Sequence, residues 1–182
     1  MSQTTLDIKE PGLNVLPPGV ERHTVNAGGL TGLQIFPDDE IEIVNNEGNQ
    51  LCELVCFDKN GKPELEILNQ KKNSKKNFIK EILKQKDENS LATNLQLKKR
   101  NLDISKSKSS ILFDEKTPSG EKIKIKSKDK CYVIFSAPQN EMLISEQNPS
   151  SDLTIFIKRA KIINDKELSI IPDPVYEPNF EK

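Results

Sequence analysis

The feature that most constrains this chain is a series of short apolar runs between residues 17 and 58, each cut off by turn-forming residues. Gly28-Gly29, Pro37-Asp38-Asp39 and the Asn-Asn-Glu-Gly-Asn stretch at 45–49 separate four apolar, β-prone segments. Runs of this length between turn signals are typical of β-strands. The region therefore predicts a meander of short strands, and it argues against a helical bundle and a nucleotide-binding fold.

Side-chain alternation supports strands in both halves of the chain. Isoleucines alternate with glutamates in Glu40–Ile43, and with lysines in Lys122–Lys126. Successive side chains of a strand point to opposite faces, so the isoleucines are expected to face a core and the charged residues water. The lysine-rich segment is typical of an edge strand, whereas the continuously apolar Tyr132–Phe135 predicts a central one.

The same signals predict a mainly β fold of about ten short strands with one short helix, in a β-sandwich or a distorted barrel. The predicted strands are Val20–Asn26, Leu30–Phe36, Glu40–Val44, Gln50–Phe57, Glu64–Leu68, Leu102–Ser105, Ser109–Phe113, Lys122–Ser127, Cys131–Ala137 and Leu153–Arg159.

Composition divides the chain into one β domain and two flanking parts. The domain is predicted over 19–160, after an extended lead-in at 1–18 that contains three prolines. Proline at the density found in 161–182 is typical of a stiff extended arm or linker. Such an arm indicates a neighbouring domain or a partner subunit that it contacts.

A Lys-rich insertion is predicted at about 70–100. Apolar residues recur at helical spacing within it, which predicts a helix over 75–87 with Ser74 as its N-cap. The remainder is interpreted as a solvated, mobile excursion, because runs of charge are mostly surface.

Net charge and arginine content argue against nucleic acid as a partner. The formal net charge is -1, and the only arginines are Arg22, Arg100 and Arg159. Bidentate readout of phosphates and bases favours arginine, and the absence of tryptophan gives no base-stacking surface. No apolar run approaches the length of a membrane span or of a signal peptide core, so we expect no membrane association.

The three cysteines, Cys52, Cys56 and Cys131, lack the spacing of a disulfide framework. They predict reduced thiols in a cytoplasmic protein. On a strand, Cys52 and Cys56 lie on one side about 13 Å apart, too far to share a metal. If a bulge or a helix joined them, Cys131 and His23 could complete a zinc site; the alternative is three buried, small hydrophobic residues.

The remaining candidates for chemistry are His23, the single histidine, and Asp39, in an acidic turn. A hydrogen-bonded strand histidine and an ordinary type I turn are the alternative interpretations. No nucleophile motif accompanies His23, so no catalytic residue is assigned. Loops on a rigid sheet often bind ligands or partners. The predicted ligand or partner loops contain Gly28, Gly29, Thr31, Glu47, Asn49 and Gln50.

Six segments between residues 19 and 140 follow one another in a recognisable order. They are Ala27–Gly29, Pro37–Val44, Glu47–Gln50, the strand that ends at Phe57-Asp58, Ile111–Phe113 and Tyr132–Pro138. This order of turn, strand, E-G-x-Q turn and apolar strand resembles the urea-carboxylase-associated family of β domains. Glu47–Gln50 is the clearest match to the pattern of that family.

The resemblance implies a bacterial accessory domain that is not itself catalytic. Domains of this kind occur ahead of glycine-cleavage-T-like aminomethyltransferase domains, and the Pro-rich tail resembles the joint before that module. The implied partner is a catalytic domain or subunit of one-carbon, methylated-amine chemistry, or a second copy of the chain. Folate would be bound by the partner, with no cofactor in this chain.

Two other functions stay open at this point. Some members of the family hydrolyse carboxylated guanidine, so the chain could be a subunit of a C–N bond hydrolase. In that case His23, Asp39, Glu47 or a cysteine would lie near a pocket at a subunit interface. The other alternative is a freestanding β domain that binds a small molecule in an apolar pocket with convergent polar groups.

Overall fold

The protein is mainly β, with eight strands and two α-helices in the residues that the structure describes. The computed structural model describes residues 16–140 and 149–161. The strands are β1 (Val20–Val25), β2 (Leu30–Ile35), β3 (Glu40–Asn45), β4 (Cys52–Asp58), β5 (Ser110–Phe113), β6 (Glu121–Lys126), β7 (Cys131–Ser136) and β8 (Leu153–Lys158). The helices are α1 (Phe78–Ile82) and α2 (Glu88–Lys99), and neither is long and apolar enough to cross a membrane.

The strands form two four-stranded antiparallel sheets, one in the order β1-β8-β3-β6 and the other in the order β2-β7-β4-β5. Each strand of the first half of the chain pairs with one of the second half: β1 with β8, β2 with β7, β3 with β6 and β4 with β5. The chain is thus one long hairpin distributed over two facing sheets. This is the arrangement of a jelly-roll β-sandwich.

The topology confirms the predicted β-sandwich. The predictions of a meander and of a distorted barrel were wrong. In a meander consecutive strands pair, but here the links from β1 to β4 each pass from one sheet to the other. The reason is that β7 and β8, whose side chains are almost all buried, occupy interior positions of the sheets and pair with the strands of the first half. In the described residues the two sheets do not close into a barrel.

The core between the sheets consists of inward-facing aliphatic and aromatic side chains from both. Ile41 and Ile43 of β3 are fully buried, as their alternation with glutamates predicted. Ile155 of β8 and Phe135 of β7 belong to the same cluster. Each buried side chain of this kind stabilises the fold by about 1.5–3 kcal/mol relative to an exposed one.

A second core covers the outer face of the β2-β7-β4-β5 sheet. Its buried members are Leu30, Val55, Phe57, Tyr132 and Ile134 from the sheet, and Ile79, Ile82, Leu83 and Leu97 from the Lys-rich insertion. The insertion therefore forms a third layer on the sandwich, which corrects the expectation of a solvated, mobile excursion. Because both faces of β7 are covered, its sequence is apolar without alternation.

Buried Glu53 of β4 ties this third layer to the sheet. Its Oε2 accepts a hydrogen bond from the amide of Ile79 at 2.8 Å, and its Oε1 accepts one from the amide of Phe78 at 3.2 Å. Ser136 of β7 lies 3.5 Å from Oε2. Burial raises the pKa of Glu53, and these hydrogen bonds oppose that rise. A single carboxylate thus provides acceptors for the first two amides of α1.

Three local predictions in and around the insertion were wrong. Strands were predicted at 64–68 and 102–105, but the chain forms 3₁₀ turns there, at Leu65–Leu68 and Ile104–Lys106. Alternating apolar residues mimic a strand in both, but acidic side chains before each turn cap it, as Asp103 does for Ser105. The single helix over 75–87 is instead α1 followed by α2, and α1 is capped by Asn77 rather than Ser74.

The other eight predicted strands are present, and β6 is an edge strand as predicted. The Glu-Ile-Glu-Ile segment of β3 and the Lys-Ile-Lys-Ile segment of β6 are paired neighbours. Glu42 lies 3.5 Å from the Nζ of Lys122 and 3.4 Å from that of Lys124. Cross-strand pairs of opposite charge of this kind contribute up to about 1 kcal/mol.

The predicted arm lies outside the described residues from position 162 onward, and the predicted lead-in lies outside them up to position 15.

Replacement of Glu53 by alanine is expected to lower the free energy of unfolding by about 2–4 kcal/mol, because the amides of Phe78 and Ile79 lose their acceptor. Urea denaturation measures this. Glu66→Ala, at an exposed position of a 3₁₀ turn, is the matched control and should change stability by less than about 0.5 kcal/mol. Equal effects of the two substitutions would contradict this role of Glu53.

Candidate functional site

An open cleft of about 360 Å³ lies where the edge strands β1 and β2 meet helix α2. It brings together the single histidine, two of the three arginines and one of the two tyrosines of the chain. The polar side chains that matter for its chemistry are Glu21, His23, Thr31, Gln34, Arg100, Tyr132 and Arg159. A groove of similar volume lies near residues 62–72 and Lys108, but solvated lysines and glutamates dominate its walls.

The alternation of side chains along the two edge strands determines which residues line this cleft. Glu21 and His23 share a face of β1 with Val25, which is fully buried. On β2, Thr31 lies on the inner face, whereas Gly32 and Gln34 lie on the face that α2 covers. The cleft therefore wraps around the edge strand β2, with the sandwich interior on one side and the helical layer on the other.

An ion-pair network closes one end of the cleft. Arg159, just after β8, binds Glu21 with two hydrogen bonds, from Nε to Oε1 at 2.8 Å and from Nη2 to Oε2 at 3.0 Å. Its Nη1 donates to Oδ2 of Asp39 at 2.6 Å and to the carbonyl of Gln34 at 3.0 Å. The side chains of Arg159 and Asp39 are 8% and 1% exposed. The charge of Arg159 is thus balanced by carboxylates within the protein.

His23 extends the same network. Its Nε2 lies 3.0 Å from Oε2 of Glu21. The hydrogen bond with His23 lowers the pKa of Glu21 to about 2; burial opposes this, and the hydrogen bonds and charge of Arg159 add to it. Glu21 is therefore held as a carboxylate, and the histidine is a partner of that carboxylate rather than an isolated base.

The opposite wall is built around Arg100, which follows α2. Its Nη1 donates to Oε1 of Gln34 at 2.6 Å, and its guanidinium lies 4.7 Å from the centroid of the Tyr132 ring. In the described part of the chain its Nε is buried without a hydrogen-bond partner, and no carboxylate lies within ion-pair distance of it. Arg100 is therefore positioned by neutral groups.

Tyr132 fits beside Arg100 because residue 32 is a glycine. A Cβ at Gly32 would lie 2.0 Å from the Tyr132 hydroxyl oxygen, so any larger residue would displace the ring. Burial raises the pKa of Tyr132 to about 12, and the charge of Arg100 opposes the rise. The phenol is thus a neutral donor and acceptor at ordinary pH.

A smaller hollow of about 210 Å³ lies on the other side of Arg100 and shares Gln34, Arg100 and Tyr132 with the cleft. Asp58, Lys59 and Lys130 also line it. Lys59 is paired with an aspartate, while the Nζ of Lys130 lies 5.4 Å from the centroid of the Phe36 ring. Arg100 therefore has charged groups of both signs in its neighbourhood.

The residues predicted for function are divided among three places. His23 and Thr31 line the cleft, and Asp39 joins it through Arg159. Gly28 and Gly29 lie in the turn between β1 and β2, directly before Leu30 of the cleft, and the turn between β3 and β4 contains Glu47, Asn49 and Gln50.

The turn between β3 and β4 is a structural junction. Gln50 is fully buried, and its Nε2 donates to the carbonyl of Pro138 at 2.8 Å while its Oε1 accepts from the amide of Ser151 at 2.8 Å. Gly48 has φ 78°, and a Cβ there would lie 2.6 Å from the amide nitrogen of Ser119. Glu47, directly before Gly48, is exposed. The E-G-x-Q turn therefore holds loops together.

The cysteines lie in the core between the sheets. All three are free and buried. Cys56 and Cys131 interact through their thiols, an interaction that raises the pKa of Cys56 and lowers that of Cys131, whereas burial raises the pKa of Cys52. In the described residues no three potential metal ligands come together. In the described residues, the other side chains predicted for a hydrolase, His23, Asp39 and Glu47, thus do not form one site with the thiols.

Sequence reasoning missed the residues that shape the cleft: Gln34, Arg100, Tyr132 and Arg159. The arginines carried a usable signal, because two of only three in a lysine-rich chain line this cleft. Their convergence depends on long-range pairing that local patterns do not contain.

Comparison with known proteins gives one informative similarity. No family model matches this chain, so membership of the urea-carboxylase-associated family stays a prediction. The chain is 30% identical over 171 residues to a trimethylamine-oxide aldolase of Ruegeria pomeroyi (strain ATCC 700808 / DSM 15171 / DSS-3). The match covers 94% of this chain and 22% of that protein, so the chain spans about a fifth of the length of the curated relative. This similarity agrees with the predicted link to methylated-amine chemistry.

Substitution of Arg159 by leucine is expected to destabilise the protein by about 3–5 kcal/mol, because the buried carboxylate of Asp39 loses its counter-charge. Thermal and urea unfolding measure the loss. Arg22→Leu, on the exposed side of β1, is the matched control and should stay within about 0.5 kcal/mol of the parent. A tolerant Arg159→Leu protein would show that the network is dispensable.

Stability is expected to fall as the pH drops from about 4.5 towards 2. The pKa of Glu21 is depressed in the folded state, so its contribution is present above the unfolded pKa and is lost as the pH falls through the folded one. Glu21→Gln should flatten this part of the unfolding profile. Glu40→Gln, at an exposed position of β3, should leave the profile unchanged, and a steep profile in both variants would assign the effect to other groups.

Proposed function

We propose that this chain is an accessory β domain that assembles with the catalytic part of an enzyme of methylated-amine metabolism. The observation that carries the proposal is the extent of the similarity: nearly the whole chain aligns with about a fifth of a trimethylamine-oxide aldolase. A domain that corresponds to one segment of a longer enzyme is expected to work beside the remaining segments.

The proposed partner is a folate-linked domain or subunit of the aminomethyltransferase type. The resemblance described from the sequence supports this choice, and folate would be bound by the partner. The state of the candidate reactive groups supports an accessory role. His23 is paired with Glu21, Asp39 with Arg159, and the thiols are buried in the core.

A freestanding domain that binds a small molecule is the second candidate function. The cleft around Arg100 favours it, because charged, aromatic and apolar side chains converge there. The two functions are compatible, since a cleft at the side of the sandwich leaves the turns at its end available for a partner.

Reconstitution tests the assembly. The full chain and the folate-dependent module encoded in the same genome are purified separately and mixed. We expect a complex of defined stoichiometry in analytical ultracentrifugation, and trimethylamine oxide consumption by the mixture that exceeds the sum of the separate proteins at least tenfold, a factor equivalent to about 1.4 kcal/mol.

Two results would overturn this proposal. One is turnover of trimethylamine oxide by the isolated chain at the rate of the mixture. The other is the absence of a complex at protein concentrations on the order of 100 μM, well above the dissociation constants of stable assemblies. A Glu47→Lys variant, altered at an exposed turn position, reports whether the predicted partner loop is in the interface.

A further inference from the structure

We infer that the cleft between β2 and α2 binds a small organic carboxylate through Arg100. This inference concerns the chain by itself and does not depend on a partner. It rests on the charge state of the cleft, the geometry of the guanidinium and the character of the surrounding walls.

The two arginines of the cleft differ in whether they have a carboxylate partner. Arg159 is neutralised by the carboxylates of Glu21 and Asp39. Arg100 has only neutral contacts, with Gln34 and with the ring of Tyr132, in the described part of the chain. A guanidinium in a protein cavity without a counter-ion is a site of strong attraction for an anion. Arg100 is therefore the arginine of the cleft that has no carboxylate partner among the described residues.

The guanidinium of Arg100 is held in one orientation. Gln34 fixes the guanidinium of Arg100 through Nη1, and the Gln34 amide is itself held because its Nε2 donates to the carbonyl of Cys131 at 2.8 Å. The aromatic ring of Tyr132 supports the guanidinium plane. Such a group loses little conformational entropy on binding. Nη1 is shared with Gln34 and Nε is buried, so Nη2 is the nitrogen left to donate to a carboxylate oxygen.

The walls select the kind of anion. Glu21 lines the far side of the cleft and is held ionised, so a second negative charge on a ligand would be repelled. The apolar side chains of Leu30, Leu33 and Ala92 line the same cavity. A volume of about 360 Å³ accommodates a carboxylate with a short hydrocarbon body. A monocarboxylate fits these walls better than inorganic phosphate.

The small number of arginines makes the test direct. In a protein labelled with ¹⁵N, the side-chain Nε signals of Arg22, Arg100 and Arg159 are the only ones of their type, and single substitutions assign them. Butyrate is the probe, butyramide is its neutral isostere and inorganic phosphate is the competing anion. We expect butyrate to move the Arg100 signal saturably with a dissociation constant on the order of 1 mM.

Two pairs of variants separate the site from general charge effects. Arg100→Gln should weaken butyrate binding at least tenfold, whereas Arg22→Gln, on the exposed side of β1, should leave it unchanged. Ala92→Glu adds a negative charge to the α2 wall without altering Arg100 and should weaken binding about fivefold or more, while Ala92→Gln should not. The Ala92 pair keeps the test valid if loss of Arg100 unfolds the third layer.

Three outcomes would overturn the inference. They are the absence of a saturable shift of Arg100 with butyrate, an equal response to butyramide, and tighter binding of phosphate than of butyrate. None of these results bears on assembly with a catalytic partner, and failure of that assembly would leave the butyrate response unaffected, so the two proposals can fail separately.

Discussion

Pairing between the two halves of the chain is the constraint on which the rest of the structure depends. Every strand of the first half has an antiparallel partner in the second, and β7 and β8 fill interior positions of their sheets. Contacts are therefore dominated by residues far apart in sequence, a property associated with slow folding. The same pairing brings Arg159, after β8, to Glu21 on β1 and to Asp39 before β3. The ion-pair network is thus a product of the topology.

The helical layer converts one sheet edge into a functional surface. Without the insertion, the outer face of β2 and β7 would expose Leu30 and Ile134 to water. Packing of α1 and α2 buries this face, and Glu53 secures the start of α1. The packing of the two helices also places Arg100 beside Tyr132 at the rim of the layer. Stability and the candidate site therefore have a common origin in a Lys-rich segment for which the sequence predicted one helix and an otherwise solvated excursion.

The sequence was sufficient for the fold class and for most strands, and insufficient for the site. Alternation in Glu40–Ile43 identified both the strand and its buried face, because a period of two is a local property. The alternation at 64–68 predicted a strand wrongly, since one 3₁₀ turn buries Leu65 and Leu68 as well as a strand would. Glu53 was overlooked because a charged residue within an apolar strand has no local explanation; its partners are amides about 25 residues away. Arg100 and Tyr132 meet only through tertiary packing.

The pairing of the first and last described strands has a consequence for how this body can be joined to others. Val20 lies opposite Lys158, so the backbone enters β1 and leaves β8 at neighbouring points at one end of their sheet. A unit with adjacent entry and exit can be spliced into a loop of a larger protein, or circularly permuted, without stretching either connection. A connection made directly at Val20 or at Lys158 would start from the same corner, close to Glu21 and Arg159.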